Sequence, residues 1–221
     1  MTETQTIYLL HGESVTIEAR EPDTPPEHPW TDMRADMPEN HAPDHPWFVA
    51  NGRTWWTKRT TAAINSITIH HTMAHNLSSF AAWSTRPQAQ GGKGIPTIQY
   101  TFWITARGEA LYCVDLEDGF WHDHTPDDPN LHLSIGLAGR WDYEPPPLVQ
   151  MRKAADLCEY LMQLYPGIHT VKGHCDYFTT ACPGWNGAGW RDQFYAMLGG
   201  VSYGISMAHI DHDYAEFMDA E

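Results

Sequence analysis

The segment GHCDYFTTACPG at residues 173–184 concentrates side chains that bind metal ions or form hydrogen bonds. Within it, His174 and Cys182 are separated by seven residues. Imidazole nitrogen and thiolate sulfur are both ligands of tetrahedral zinc, and a catalytic zinc site has three protein ligands and one position open to water or substrate. This segment offers two convincing ligands, so we expect the third from another part of the chain.

The stretch SITIHH at residues 66–71 is the main candidate for the source of the third ligand. It is rich in β-branched and apolar residues and ends in two histidines, which predicts a buried strand with a polar end. Successive side chains of a strand point to opposite faces of the sheet, so His70 and His71 should not both face one metal ion. The residues alone leave open which of the two is the ligand.

The rest of the pattern predicts the elements that must position these groups. The sequence TIYLLHGESVTIEA predicts a strand pair with a turn at His11–Ser14. Further strands are expected at 98–105, 109–114, 134–139 and 168–175, helices at 76–84, 148–165 and 190–198, and a long polar loop at 116–133. This mixed order predicts an α/β fold in which a central mixed β-sheet is flanked by α-helices.

The net charge of −15 is concentrated at the two ends of the chain. Residues 1–50 carry −8 and residues 205–221 carry −5, whereas the middle carries −2. Such a chain has no basic surface for nucleic acid and no electrostatic attraction to anionic membranes. No apolar run approaches the roughly 18 residues of a transmembrane helix. The four cysteines are too few for a disulfide scaffold, so thiols or metal ligands are expected, with a single disulfide left open.

These shifts in composition divide the chain into three parts. Residues 1–60 form an acidic, Pro-rich N-terminal extension that we expect to pack through Trp30 and Trp47, residues 61–200 form the catalytic domain, and residues 201–221 form an acidic tail. The N-terminus has no basic region ahead of an apolar one, so it does not resemble a secretory signal, and a cytoplasmic location is expected.

The motifs ITIHHT, QYTFWI, SIGLAG and GHCDYFTTACPG occur in this order. Together they resemble the zinc-dependent N-acetylmuramoyl-L-alanine amidases of the amidase-2 type, which include phage endolysins, bacterial wall amidases and the peptidoglycan-recognition proteins of animals. The resemblance covers roughly residues 60–200. It implies the amidase-2 fold, one Zn²⁺ ion, and peptidoglycan or its muropeptide fragments as the binding partner of a monomeric protein.

The resemblance also assigns roles to single residues. It implies that His70, rather than His71, binds the metal with His174 and Cys182. It implies catalytic roles for Tyr100 and Thr180. The expected substrate-binding residues are His122, Asn130 and His71, the last of which is also interpreted as a packing neighbour of the ligand.

One departure from the family narrows the resemblance. Several members carry a glutamate shortly after the SIG motif as a general base, but here the segment continues as Gly136, Leu137 and Ala138. This aligns the chain with the branch that carries a tyrosine and a cysteine ligand. It argues against the cytosolic recycling amidases, in which aspartate replaces the cysteine.

The resemblance implies a peptidoglycan hydrolase that cleaves the amide bond between N-acetylmuramic acid and L-alanine with a zinc-activated water. An endolysin encoded by a phage, accumulating in the host cytoplasm and acting on the cell wall, fits best. Two alternatives remain open at this point: a recognition protein that binds muropeptides without cleaving them, and a phage amidase that also binds a host protein.

Overall fold

The computed structural model of the protein describes residues 28–119, 122 and 131–198, together with the backbone of residues 4–8 and 14–18. Asn130, the turn expected at residues 11–14 apart from Ser14, and the acidic tail at 201–221 lie outside the described residues. Within the described part, no helix is long and apolar enough to cross a membrane.

The strands and helices follow one another in mixed order along the described chain. The strands are β1 (Thr4–Tyr8), β2 (Ser14–Glu18), β3 (Thr31–Asp32), β4 (Thr57–Lys58), β5 (Ser66–His71), β6 (Phe102–Ile104), β7 (Ala110–Tyr112), β8 (Asp118–Gly119), β9 (His132–Leu137) and β10 (Thr170–Gly173). The helices are α1 (Pro46–Ala50), α2 (Leu77–Thr85), α3 (Leu148–Leu164), α4 (Trp185–Ala188) and α5 (Arg191–Met197).

Six of these strands form one mixed sheet in the order β10-β5-β9-β6-β7-β3. The strands β10, β5, β9 and β6 are parallel to one another, and β7 is antiparallel to β6 as a hairpin. The strands β1 and β2 pair antiparallel with each other, as do β4 and β8. The predicted mixed sheet flanked by helices is confirmed.

The sheet separates two apolar clusters. Ile67 and Ile69 of β5 belong to a cluster with the buried face of α3, whereas Tyr100 and Phe80 belong to a second cluster. Because side chains alternate along a strand, His70 projects on the face opposite to Ile67 and Ile69. The helix α3 therefore covers one face of the sheet, and the cleft lies on the opposite face beside the second cluster.

Two details of the secondary structure differ from the sequence-based prediction. The expected strand at 98–105 is regular only over β6, because the N–H of Thr101 donates to the side-chain oxygen of Ser134 (2.9 Å) instead of entering the backbone ladder. The helix expected at 148–165 ends one residue earlier, at Leu164, and its first residue, Leu148, is 61% exposed.

The segment before residue 60 contributes to both clusters. Trp30 lies against Phe102 and Tyr160, with ring centroids 5.1 and 5.5 Å apart, and Trp47 packs on the second cluster. The expected packing through these two tryptophans is confirmed. Phe48 and Trp56 are buried in the second cluster as well, which the composition of this segment did not predict.

Candidate metal centre and substrate cleft

The pairing of β10 with β5 brings His70 and His174 together. These strands are parallel neighbours in which Ile69 is level with Gly173, so the residue that follows each of them lies at the same edge of the sheet. His70 and His174 are those residues, and their ring centroids are 4.6 Å apart. Together with Cys182 they form a cluster whose potential ligand atoms all lie within 4.8 Å of one another.

The loop after His174 returns Cys182 to the same edge. The N–H of Cys175 donates to the carbonyl oxygen of Cys182 (2.8 Å), which closes the loop. At its start, the Asp176 carboxylate accepts a hydrogen bond from the N–H of Gly173 (2.7 Å) and pairs with Arg191 of α5 (3.0 Å). The loop is therefore held at both ends, and Cys182 is buried.

The three side chains fit a zinc ion. The Sγ atom of Cys182 lies 3.7 Å from the Nδ1 atom of His70. A tetrahedral ion with Zn–N of about 2.0–2.1 Å and Zn–S of about 2.3 Å places such a pair of donors about 3.6 Å apart. This assigns Nδ1 as the metal-facing atom of His70. Burial raises the pKa of the Cys182 thiol to about 12, so a bound cation must displace its proton.

His122 lies behind the candidate ligand His70. Its Nδ1 atom is 3.0 Å from the Nε2 atom of His70, and its Nε2 atom is 3.3 Å from the carbonyl oxygen of His132. A carbonyl only accepts, so His122 donates there through Nε2–H and accepts from His70 Nε2–H through Nδ1. His122 was expected to contact substrate. It does line the cleft, and it also orients His70.

The neighbouring His71 faces a different partner. Its Nδ1 atom is 3.3 Å from the Asp142 carboxylate, while its backbone N–H points at the Sγ atom of Cys182 (3.3 Å). Burial lowers the pKa of the His71 imidazole, and Asp142 partly opposes that effect. The backbone of His71 therefore supports the cysteine, and its side chain forms a wall of the cleft.

Tyr100 forms the apolar wall beside His70. Its ring centroid is 5.5 Å from that of His70 and 5.5 Å from that of Phe80. Gly136 leaves room for the ring, because a Cβ atom there would lie 3.0 Å from it. Burial raises the pKa of the Tyr100 hydroxyl above its ordinary value, so this group remains protonated at neutral pH and can donate a hydrogen bond.

Thr180 lies in the loop wall of the same cleft. Its hydroxyl oxygen accepts a hydrogen bond from the N–H of Cys182 (3.2 Å). That contact leaves the hydroxyl proton available to a bound molecule. The remaining expected substrate residue, Asn130, lies outside the described residues.

All of these side chains surround one cleft of about 670 Å³. A smaller cavity of about 330 Å³ adjoins it, with aromatic walls from Trp47, Phe48 and Trp56. Both are lined by Lys93, Gln99, His122 and His174. The sequence analysis did not identify Lys93 or Gln99, and nothing in the segment GGKG at 91–94 distinguishes its lysine from a surface one.

The four cysteines are free thiols. Cys113 and Cys158 are buried among apolar side chains, and Cys175 is half-buried within the loop that follows His174. None of the four forms a disulfide in this structure, and Cys182 remains a candidate metal ligand.

The sequence profile of N-acetylmuramoyl-L-alanine amidases of the amidase-2 type matches residues 60–185. That is more than half of the chain, and it contains every candidate ligand. The chain belongs to this amidase family. No curated protein sequence matches it.

Solved structures of amidases and recognition proteins have the same fold. The N-acetylmuramoyl-L-alanine amidase LysC from Clostridium intestinale URNW is 26% identical, with a TM-score of 0.52 over 66% of this chain and 92% of LysC. The endolysin of Thermus scotoductus MAT2119 bacteriophage Ph2119 is 18% identical, with a TM-score of 0.51 over 70% and 97%. The Drosophila peptidoglycan recognition protein SD is 15% identical, with a TM-score of 0.51 over 72% and 90%.

Proposed function

We propose that this protein is a zinc-dependent N-acetylmuramoyl-L-alanine amidase that cleaves the amide bond between N-acetylmuramic acid and L-alanine in peptidoglycan. The observation that carries the proposal is the cluster of His70, His174 and Cys182, whose donor atoms lie within 4.8 Å of one another at the edge of an open cleft. A complete set of three ligands favours catalysis over binding alone.

Zinc, when bound there, supplies a Lewis acid that lowers the pKa of a coordinated water and polarises the amide carbonyl. The chain itself holds the ligands in place. His122 accepts from His70 and fixes which ring nitrogen faces the cleft, and such contacts behind a ligand set its orientation and basicity. The backbone N–H of His71 stabilises the Cys182 thiolate.

Two hydroxyl groups are the proposed hydrogen-bond donors to the substrate. Tyr100 is neutral and buried beside His70, so its O–H is a donor for the negative charge that develops on the carbonyl oxygen. Thr180 accepts from the Cys182 N–H and retains its own proton for the same cleft. The largely apolar, buried surroundings of Tyr100 lower the local dielectric constant, which strengthens such hydrogen bonds.

Membership of the family supports a proposal for the substrate and for the biological setting. The proposed partners are peptidoglycan and muropeptides. The proposed role is that of an endolysin, which accumulates in the host cytoplasm and acts on the bacterial wall. The similarity to the N-acetylmuramoyl-L-alanine amidase LysC, at 26% identity over most of its length, supports the proposed substrate. A monomer with one zinc ion is sufficient for the proposed chemistry.

The test is mass spectrometry of fragments released from purified peptidoglycan by the full-length protein. We expect free stem peptides that begin with L-alanine, lost after chelation and restored by added zinc. Release of disaccharides, or of peptides cut at another bond, would contradict the proposed reaction.

A second candidate is a recognition protein that binds muropeptides without cleaving them, because a recognition protein shares this fold. The same experiment separates the two. Retention of intact muropeptides by the zinc-loaded protein, with no stem peptide released from several wall types, would favour recognition.

A further inference from the structure

Lys93 occupies a fixed position where the cleft and the smaller cavity meet. It lies in the segment that follows α2 and folds back along it: its N–H donates to the carbonyl oxygen of Trp83 (2.9 Å), and the N–H of Gly94 donates to that of Arg86 (2.8 Å). Gly94 has a φ of 68°, a conformation that favours glycine. The backbone therefore determines where the lysine side chain starts.

The ammonium group of Lys93 is directed into the cleft wall. It donates to the side-chain oxygen of Gln99 and lies 5.8 Å from the centroid of the Trp83 ring. Burial lowers the pKa of Lys93 to about 8 because the charged form loses hydration. Among the described carboxylates, none forms an ion pair with it.

This arrangement leaves the ammonium group of Lys93 able to bind an anion. A lysine ammonium has three protons, and Gln99 accepts one of them. Asp142, the carboxylate that also lines the cleft, is already paired with Arg140 (2.6 Å) and lies beside His71. A partly buried, unpaired positive charge costs free energy, and an incoming carboxylate would remove that cost.

We propose that Lys93 binds the substrate carboxylate closest to the scissile bond, the α-carboxylate of the γ-linked glutamyl residue that follows L-alanine in the stem peptide. This inference rests on the proposed amidase function. Lys93 lines both cavities together with His122 and the candidate ligand His174, so it borders the same cleft as the proposed metal centre. The Trp83 ring would pack on the aliphatic part of the same residue. Lys93 is thereby a specificity-determining residue, since bacterial walls differ in whether that carboxylate is free or amidated.

The experiment compares two soluble muropeptides that differ only in whether this carboxylate is free or a primary amide. Full-length wild type, Lys93→Met, Lys93→Arg and the control Lys153→Met are assayed for kcat/KM with bound zinc. Lys153 lies on α3 and lines neither cavity. We expect wild type and Lys153→Met to prefer the free carboxylate by about tenfold, the typical effect of one charge-assisted hydrogen bond. Lys93→Met should lose that preference by slowing on the free carboxylate alone, and Lys93→Arg should retain part of it.

Other outcomes overturn the inference. An equal loss on both substrates in Lys93→Met would indicate a role in proton transfer or packing, and equal cleavage of both by wild type would mean that the carboxylate is not recognised. If wild type cleaves neither, the amidase proposal fails. Calorimetry with the same two peptides then still decides the role of Lys93: a preference for the free carboxylate that Lys93→Met abolishes supports it, and equal or undetectable binding contradicts it.

Discussion

The Nδ1 atom of His122 lies 3.0 Å from the Nε2 atom of His70. The far side of the His122 ring reaches the carbonyl oxygen of His132, which also accepts a hydrogen bond from the guanidinium group of Arg59 (2.7 Å). The candidate ligand is thus oriented through a second imidazole that is itself anchored to the backbone of β9. In this arrangement His122 acts on the metal site even without touching the substrate.

The change His122→Ala should weaken zinc binding by about 10- to 100-fold, because a partner behind a ligand fixes its tautomer and ring orientation. Zinc affinity is measured by competition with a chromophoric chelator. The control is His169→Ala, since the His169 side chain is exposed and its Nδ1 atom lies 2.8 Å from the carbonyl oxygen of Gly167, two residues earlier. Unchanged affinity in His122→Ala would show that His70 is oriented by other contacts.

Removal of the cysteine ligand should abolish stoichiometric zinc binding and activity together. Cys182→Ala leaves two of the three donors, which are too few to hold a catalytic zinc ion. The matched control is Cys175→Ala, the half-buried thiol in the same loop, which should retain one zinc per chain. Elemental analysis by mass spectrometry gives the stoichiometry. Full zinc content in Cys182→Ala would exclude the proposed ligand set.

The hydroxyl of Tyr100 can be tested apart from its ring. Tyr100→Phe keeps the packing on Phe80 and Gly136, so fold and zinc content should not change. If the O–H stabilises the developing oxyanion, kcat should fall by about 100-fold with little change in KM. Steady-state kinetics on a soluble muropeptide measures both values. A wild-type kcat would leave Tyr100 as a packing residue.

The cluster of candidate metal ligands was predictable because it depends on regular strands. His70 and His174 each follow a β-rich run, and parallel neighbours place such residues at one edge. The contact of His122 with His70 was not predictable, because His122 belongs to no helix or strand whose register the sequence could indicate.

The position of Lys93 in the cleft was also not predictable from the sequence. Its position depends on the left-handed turn at Gly94 and on hydrogen bonds to the end of α2. These are features of the tertiary structure, and no spacing of residue types in the sequence indicates them. The buried N-terminal residues Phe48 and Trp56 were missed for a related reason: the surrounding segment is acidic and Pro-rich, and that composition is typical of an exposed arm.

Trp30 should contribute to the stability of the sheet from outside the family-matched region. Its ring stacks on His28 (4.6 Å) and packs against Phe102 and Tyr160. Since Trp30 is only partly buried, Trp30→Ala should cost about 2 kcal/mol, less than the roughly 3–5 kcal/mol of a fully buried aromatic residue. Urea denaturation measures the loss. Tyr143→Ala, at a residue that is 84% exposed, should change stability by less than about 0.5 kcal/mol, and an equal effect of the two would contradict the packing role.

Lys93 predicts a pH dependence of stability whose sign follows from its burial. The pKa of Lys93 is lowered to about 8 in the folded protein, against about 10.4 in the unfolded chain. Between these values the unfolded state binds more protons, so the penalty for burying the charge is fully present below pH 8 and is relieved as the pH rises toward 10.

Lys93→Met lacks this penalty. Its free energy of unfolding should exceed that of wild type by roughly 1–3 kcal/mol at pH 7 and by less at pH 9.5. Urea denaturation at the two pH values measures the difference, in which the titration of all other groups cancels. A difference that does not change with pH would mean that Lys93 is hydrated in the folded protein. Its positive charge would then have no burial penalty, and a bound carboxylate could not gain free energy by removing one.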